Sequence, residues 1–247
     1  MNEASGDLWS QAEPFDLPVI DHVGLVVSDI EATVDELRRT GLKVSDPEPL
    51  LTSAGPLGQR SAHCVFENGY LEISAPNPGS GNHLEPFLAM GEGWKILVFA
   101  CDDCEQGRDR LQAAGIACGP VSDAARTVLL SRGSETARFR WFSLSDMVEG
   151  VLVAYVEHRD REIVFAPELT EHSNGARKLG AVLFGASARP LECLGRATQA
   201  FAPHSRITPS PGVAIPGVEI VGADPFVLKY PGWQLRAVAA AGGGQGQ

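Results

Sequence analysis

Apolar runs and amphipathic stretches follow one another in an order that the chain goes through twice. Ile20-Asp21-His22-Val23-Gly24-Leu25-Val26-Val27 predicts a strand over about 19 to 27, and Ser28-Asp29 caps a stretch of helical spacing from Ile30 to Thr40, stopped at Gly41. Glu48 to Gly58 is rich in proline and glycine and reads as a loop. Strands are predicted at about 61 to 67 and 69 to 75, joined through Glu67-Asn68-Gly69, where Asn-Gly is a hairpin signal. A connector from Pro76 to Gly93 carries the short apolar patch Leu84 to Met90. The order then restarts with apolar Trp94 to Ala100, an acidic turn Cys101-Asp102-Asp103 and a helical stretch from Cys104 to Ala114 stopped by Gly115. Strands at about 126 to 131, 137 to 144 and 150 to 157 complete it.

Setting Ser28-Asp29 on Cys101-Asp102 places His22 on Lys95, and Tyr70-Leu71-Glu72 matches Tyr155-Val156-Glu157 near the far ends of the two units. This is an internal repeat of a βαβββ unit. The fold class it predicts is α+β: paired βαβββ modules curling into a cup-shaped mixed sheet. A third, partial module is suggested by strand-like Leu179 to Ala186, helical spacing from Arg189 to Phe201, and short runs Gly217 to Val221, Phe226 to Tyr230 and Trp233 to Ala237. The expected division is a loose arm at 1–17, a first module at 18–76, a linker at 77–93, a second module with its trailing loop at 94–177, a partial module at 178–238 and a disordered Gly/Gln tail at 239–247.

Composition narrows the partners. A net charge of −11 over 247 residues gives no basic field for nucleic acid or anionic lipid, and no apolar stretch is long enough to span a bilayer. The first residues lack the basic start and apolar run of a signal peptide, so the expected location is the cytoplasm. Five cysteines without framework spacing fit reduced thiols there. Cys101-Asp102-Asp103-Cys104 has no second pair with which to build a zinc site, and it reads as a strand end running into a helix cap.

Side chains alternate along a strand, so Tyr70 and Glu72 share one face, as do Tyr155 and Glu157. If the repeated units surround one cleft, His22 enters from the first strand and a glutamate from the last strand of each unit. An imidazole with two carboxylates is a donor set for a divalent metal. Lys95 at the remaining symmetric place cannot bind metal while protonated; it could neutralise the carboxylates, act as a general acid or orient an oxyanion. A one-residue slip would turn His158 inward in place of Glu157. His63 shares a strand face with Val65 and Glu67, and His172 sits in His-Ser-Asn-Gly-Ala as either a loop cap or a substrate contact. Arg138 and Arg140 share a face opposite Phe139 and Trp141 and could take a substrate carboxylate or phosphate, or be solvated.

These residues resemble the vicinal oxygen chelate superfamily, in particular its glyoxalase-like branch. The motifs are Ile20-Asp21-His22 through Ser28-Asp29-Ile30-Glu31, Glu67-Asn68-Gly69-Tyr70-Leu71-Glu72, Arg138-Phe139-Arg140-Trp141-Phe142-Ser143, Val156-Glu157-His158, and Glu171-His172-Ser173-Asn174-Gly175-Ala176. The resemblance implies a cup around one divalent cation (Zn, Ni, Mn, Fe or Mg) held by His22, Glu72 and Glu157; Lys95 stands where the family's second histidine is usual, and Glu157 or Lys95 is expected to move the proton. From their faces and loop position, Tyr70, Tyr155, Arg138, Arg140 and His172 are the expected substrate contacts. Extradiol dioxygenases of the superfamily use two histidines and a glutamate, which Lys95 does not match. The expected activity is therefore metal-dependent isomerisation or lyase cleavage of a small carbonyl or hydroxy metabolite. The rival expectation is a metal-free cup that sequesters an antibiotic or other ligand, lined by aromatics such as Tyr70, Tyr155, Trp94, Phe99 and Trp141. A third reading makes residues 178–238 a homodimerisation module.

Overall fold

The computed structural model describes residues 7–10, 13–15, 17–52, 55–194, 204–208, 210 and 213–240. The elements, in chain order, are β1 (Glu13–Phe15), β2 (Ile20–Val26), α1 (Ile30–Arg39), β3 (Glu48–Thr52), β4 (Gly55–Phe66), β5 (Gly69–Pro76), α2 (Glu85–Ala89), β6 (Gly93–Ala100), α3 (Cys104–Ala113), β7 (Ser122–Leu130), β8 (Gly133–Val148), β9 (Val151–His158) and α4 (Arg161–Val164). They continue with β10 (Lys178–Gly185), β11 (His204–Thr208), β12 (Gly217–Val221), β13 (Phe226–Tyr230) and β14 (Trp233–Val238). Two βαβββ modules, β2-α1-β3-β4-β5 and β6-α3-β7-β8-β9, close into an eight-stranded barrel of order β2-β5-β4-β3-β7-β8-β9-β6. The antiparallel pairs β2–β6 and β3–β7 are the two seams between modules. No helix among the described residues is long and apolar enough to cross a membrane.

The helices start where the acidic turns predict. Asp29 caps α1 by accepting from Ala32 N at 2.9 Å, and Asp103 caps α3 by accepting from Gln106 N at 3.0 Å. Ile30, Val34 and Leu37 of α1 are buried against the outer wall of the barrel, in a core that also holds Val23, Leu25, Leu71, Ile73, Leu97 and Phe99. The opposite strand faces enclose a second apolar cluster of Val26, Ile96, Val98, Ala154 and Val156. Period-two alternation thus decides which residues face the helices and which face the cavity.

The region read as a proline-rich loop contains β3, because Glu48 to Thr52 finds partners on both sides, in β4 and β7, and helps close the barrel. The second sheet runs β1-β11-β10-β12-β14-β13. Part of the segment expected as a loose arm joins it: Glu13–Phe15 pairs with β11, and Trp9 is buried under Arg236, whose Cζ is 3.7 Å from the indole centroid. Ala186–Leu194 is a 3₁₀ helix, and the rest of the helical stretch expected to Phe201 lies outside the described residues, as does the tail from residue 241. Asn68 fastens the sheet to the barrel. Its Nδ2 donates to Leu179 O, and its Oδ1 accepts from Leu179 N, both at 2.8 Å.

Gly69 opens β5 where a Cβ would lie 2.6 Å from the carbonyl oxygen of Asp21. Gly69→Ala is therefore expected to push β5 from β2 and cost about 1–3 kcal/mol, read as a lower urea midpoint with an unchanged slope.

Candidate functional site

A β-bulge in β2, between Ile20 and His22 in its pairing with β6, brings two consecutive side chains to bear on one cluster. The Nδ1–H of His22 donates to Asp21 Oδ1 at 2.8 Å, and His158 Nε2, at the end of β9, faces both oxygens of the same carboxylate at 3.1 Å. Asp21 thereby links the first strand of one module to the last strand of the other. With Nδ1 held, His22 directs Nε2 toward Glu72 Oε2 on β5, 3.3 Å away. The other oxygen of Glu72 accepts from Ser74 Oγ at 2.5 Å and Ser61 Oγ at 3.1 Å. Tyr70 stacks on the His22 ring with centroids 4.2 Å apart, and Arg126 on β7 lies over Tyr70 with its Cζ 5.6 Å from the ring centre.

Of these groups, His22, Glu72, Tyr70 and Arg126 line a cavity of ≈ 70 Å³ inside the barrel, together with His63, His83, Phe139 and Trp141. One water needs roughly 15 Å³ on this measure, so the space suits a small organic molecule.

The electrostatics are those of a buried, crossed pair. Burial alone would raise the carboxyl pKa of Asp21 and Glu72, but imidazole hydrogen bonds and charge, from His158 and His22 on Asp21 and from His22 above all on Glu72, hold both well below the usual range. Burial opposes a charged His22, yet its hydrogen bonds to Asp21 and Glu72 outweigh this and raise its pKa. The arrangement favours the imidazolium form of His22 between the two carboxylates. Burial drives the pKa of His63 well down, with Arg126 adding to the effect, so His63 is a neutral neighbour.

The second module supplies hydrocarbon where the first supplies His22 and Glu72. The N-caps Asp29 and Asp103 hold equivalent places in the two modules, and the same spacing makes Ile96 the symmetry mate of His22, with His22 opposite Val98 and Gly24 opposite Ile96 across the seam. By the same logic the parallel pairs Gly24–Glu72 and Val98–Ala154 make Ala154 the mate of Glu72. Lys95 is turned the other way, into a cleft between barrel and second sheet that also holds Trp94, Tyr230 and Trp233.

Glu157 points outward as well. Its Oε2 accepts the amide of Cys104 at 2.9 Å, capping α3, and its Oε1 pairs with Arg159 Nη1 at 2.6 Å. Glu157→Gln is expected to cost about 1–2 kcal/mol of stability through the weakened cap and to leave ligand binding in the barrel unchanged, as calorimetry on both proteins would show.

The other expected contacts fall outside the cavity too. Tyr155 stacks on Phe142, with centroids 5.4 Å apart, and lies near Phe99 on the barrel's outer side. Arg138 is bound through Nε and Nη2 to Asp160, and Arg140 to Glu105 and Asp123. His172 accepts Lys43 N on Nδ1 and donates Nε2–H to Val65 O, both at 2.9 Å, so it fixes a loop. Cys101 and Cys104 lie with their sulfurs 3.4 Å apart at the start of α3.

A resident zinc-like cation of the kind the resemblance implies takes at least three protein donors. Only His22 and Glu72 of the expected set converge, the opposite wall is Ile96, Val98 and Ala154, and no group of three His, Cys, Asp or Glu among the described residues is placed to hold a metal. The donor set does not fit that group.

A barrel of two βαβββ modules with an imidazole–carboxylate pair inside it defines a glyoxalase-like cup. The sequence profile described as a glyoxalase-like domain matches residues 20–198, and the chain belongs to that family, within the vicinal oxygen chelate superfamily. Among solved structures, a hypothetical protein from Staphylococcus aureus is similar over 89% of this chain and 98% of its own, with TM-score 0.67 and 9% identity. Methylmalonyl-CoA epimerase from Mycobacterium tuberculosis covers 58% of this chain and 89% of its own at 20% identity and TM-score 0.42. A Streptomyces coelicolor methylmalonyl-CoA epimerase variant in complex with 2-nitronate-propionyl-CoA covers 58% and 99% at 23% identity and TM-score 0.43. No curated protein matches the chain.

Proposed function

We propose that this glyoxalase-like protein is a proton-transfer enzyme, an isomerase or lyase for a small carbonyl or hydroxy metabolite, with His22 and Glu72 as the groups that move the proton. The observation that carries the reading is the 3.3 Å approach of His22 Nε2 to Glu72 in the barrel cavity, with Asp21 fixing the ring from behind. His22 donates its Nε2 proton to a substrate oxygen on which negative charge builds. Glu72, relieved of its imidazolium partner, becomes basic enough to accept a carbon-bound proton. Stacked Tyr70 keeps the ring from turning away.

The test is hydrogen exchange in D₂O, followed by proton NMR, over a panel of 2-hydroxycarbonyl and 1,3-dicarbonyl compounds. Exchange that survives chelator treatment and disappears in His22→Ala supports the proposal. Exchange lost with chelator and restored by one divalent cation would instead assign the site to metal-assisted chemistry.

The second reading is a sequestering protein, favoured by the hydrocarbon wall of Ile96, Val98, Leu152, Ala154 and Val156. Tight capture of an apolar ligand with no exchange across the panel would establish it. Homodimerisation through residues 178–238 also stays a proposal, supported by β13 at the sheet edge with Val227 54% exposed; sedimentation as a monomer at 100 µM, on the order of the concentrations at which weak interfaces form, would overturn it.

A further inference from the structure

We infer that the cavity binds a small organic carboxylate, its anionic head on Arg126 and its apolar body on the wall formed by β6 and β9. This deepens the proposed function, on which it rests only for the cavity being the substrate site.

Arg126 is 6% exposed, near the middle of β7, with its head at the cavity. Its Nη2 is buried without a hydrogen-bond partner, and no carboxylate among the described residues lies within ion-pair distance of it. A guanidinium has five N–H donors in a planar fork and does not lose its charge, so leaving one buried and unmatched is costly.

The nearby carboxylates are already engaged. Asp21 is held by His22 and His158, and Glu72 by His22, Ser61 and Ser74. The ring of Tyr70 gives the guanidinium partial relief, at 5.6 Å. The group that completes the fork is a carboxylate, which matches it with two parallel hydrogen bonds. The hydrocarbon wall opposite favours an acid with a short apolar chain. Arg126 and His22 lie against the same tyrosine, so an acid held by its head presents its adjacent carbons to the proton-moving pair.

The experiment measures binding of lactate, isobutyrate and benzoate, each against its neutral amide, by calorimetry and saturation-transfer NMR. It uses the whole protein and the variants Arg126→Gln, Arg126→Lys and His22→Ala. At least one acid is expected to bind, its amide about 10- to 100-fold more weakly, and Arg126→Gln to lose a similar factor. Arg126→Lys, a point charge without the fork, is expected to fall between. Circular dichroism and the melting curve establish that the variants are folded. Equal binding of acid and amide, unchanged binding in Arg126→Gln, or no binding of any acid at 10 mM, about the weak limit for a metabolite site, would overturn the inference. His22→Ala separates the two ideas: acid binding kept while exchange is lost supports both, whereas exchange unaffected by that substitution sinks only the proton-transfer reading.

Discussion

Glu72→Gln is expected to slow substrate proton exchange by about 10²–10⁴-fold, the usual contribution of a positioned acid or base, while leaving the barrel folded. The amide keeps the shape of the carboxylate and can still accept from Ser74 and Ser61, so the packing around it survives. What it loses is the charge facing His22 Nε2 and the ability to take up a proton. Ground-state binding of an acid on Arg126 is expected to change little, so the defect should appear in kcat and not in KM. If Glu72 merely braced His22, the variant would lose a small factor and keep its exchange, and an NMR time course in D₂O separates the two outcomes. Ser74→Ala, which removes the 2.5 Å hydrogen bond to Glu72, should give a smaller loss of the same kind.

Arg126→Met is expected to make the ligand-free protein more stable. Exchanging a buried, unmatched guanidinium for a side chain of similar length removes a desolvated charge and adds apolar contact with Val65, Tyr70 and Val128, which share its side of the barrel. A gain of about 1–2 kcal/mol would raise the melting temperature by roughly 2–8 °C in a chain of this size. The same variant should lose any rise in melting temperature that saturating isobutyrate gives the native protein. A stable variant that no longer responds to acids is the signature of a residue kept for a ligand. A fall in stability would show instead that the arginine is matched within the protein.

The two predictions draw on residues that the sequence disclosed unequally. His22 and Glu72 were legible because each breaks an apolar run at a position whose face alternation fixes, and the repeat sets their strands side by side. Glu157 misled because the tripeptide Tyr155-Val156-Glu157 looks like Tyr70-Leu71-Glu72, yet Tyr70 faces the cavity and Tyr155 the outer core. With a period of two, a slip of one residue exchanges inside for outside, and a short motif does not say which. The same slip set Lys95 against His22, where the equivalent helix caps Asp29 and Asp103 set Ile96.

The sequence pattern predicts a strand that starts at Arg126, which hides the residue's place in an alternation; β7 begins at Ser122, and Ala124, Arg126, Val128 and Leu130 fall on one buried face. A lone charge in that alternation was the available signal. Asp21 could not be read as part of the cluster, since regular alternation sends it away from His22 and only the bulge turns both toward the same centre. The 3₁₀ turn and pairing partners of the second sheet depend on contacts far apart in sequence, which local pattern does not encode.

A cup assembled from two separate identical subunits must repeat every side chain about its dyad, so a histidine on one side forces a histidine on the other. Joined in tandem, the halves are free to diverge, and here Ile96 and Ala154 stand where copies of His22 and Glu72 would be. The interior has acquired a direction, with ionised groups at one side and oil at the other, so an asymmetric guest has one preferred way round.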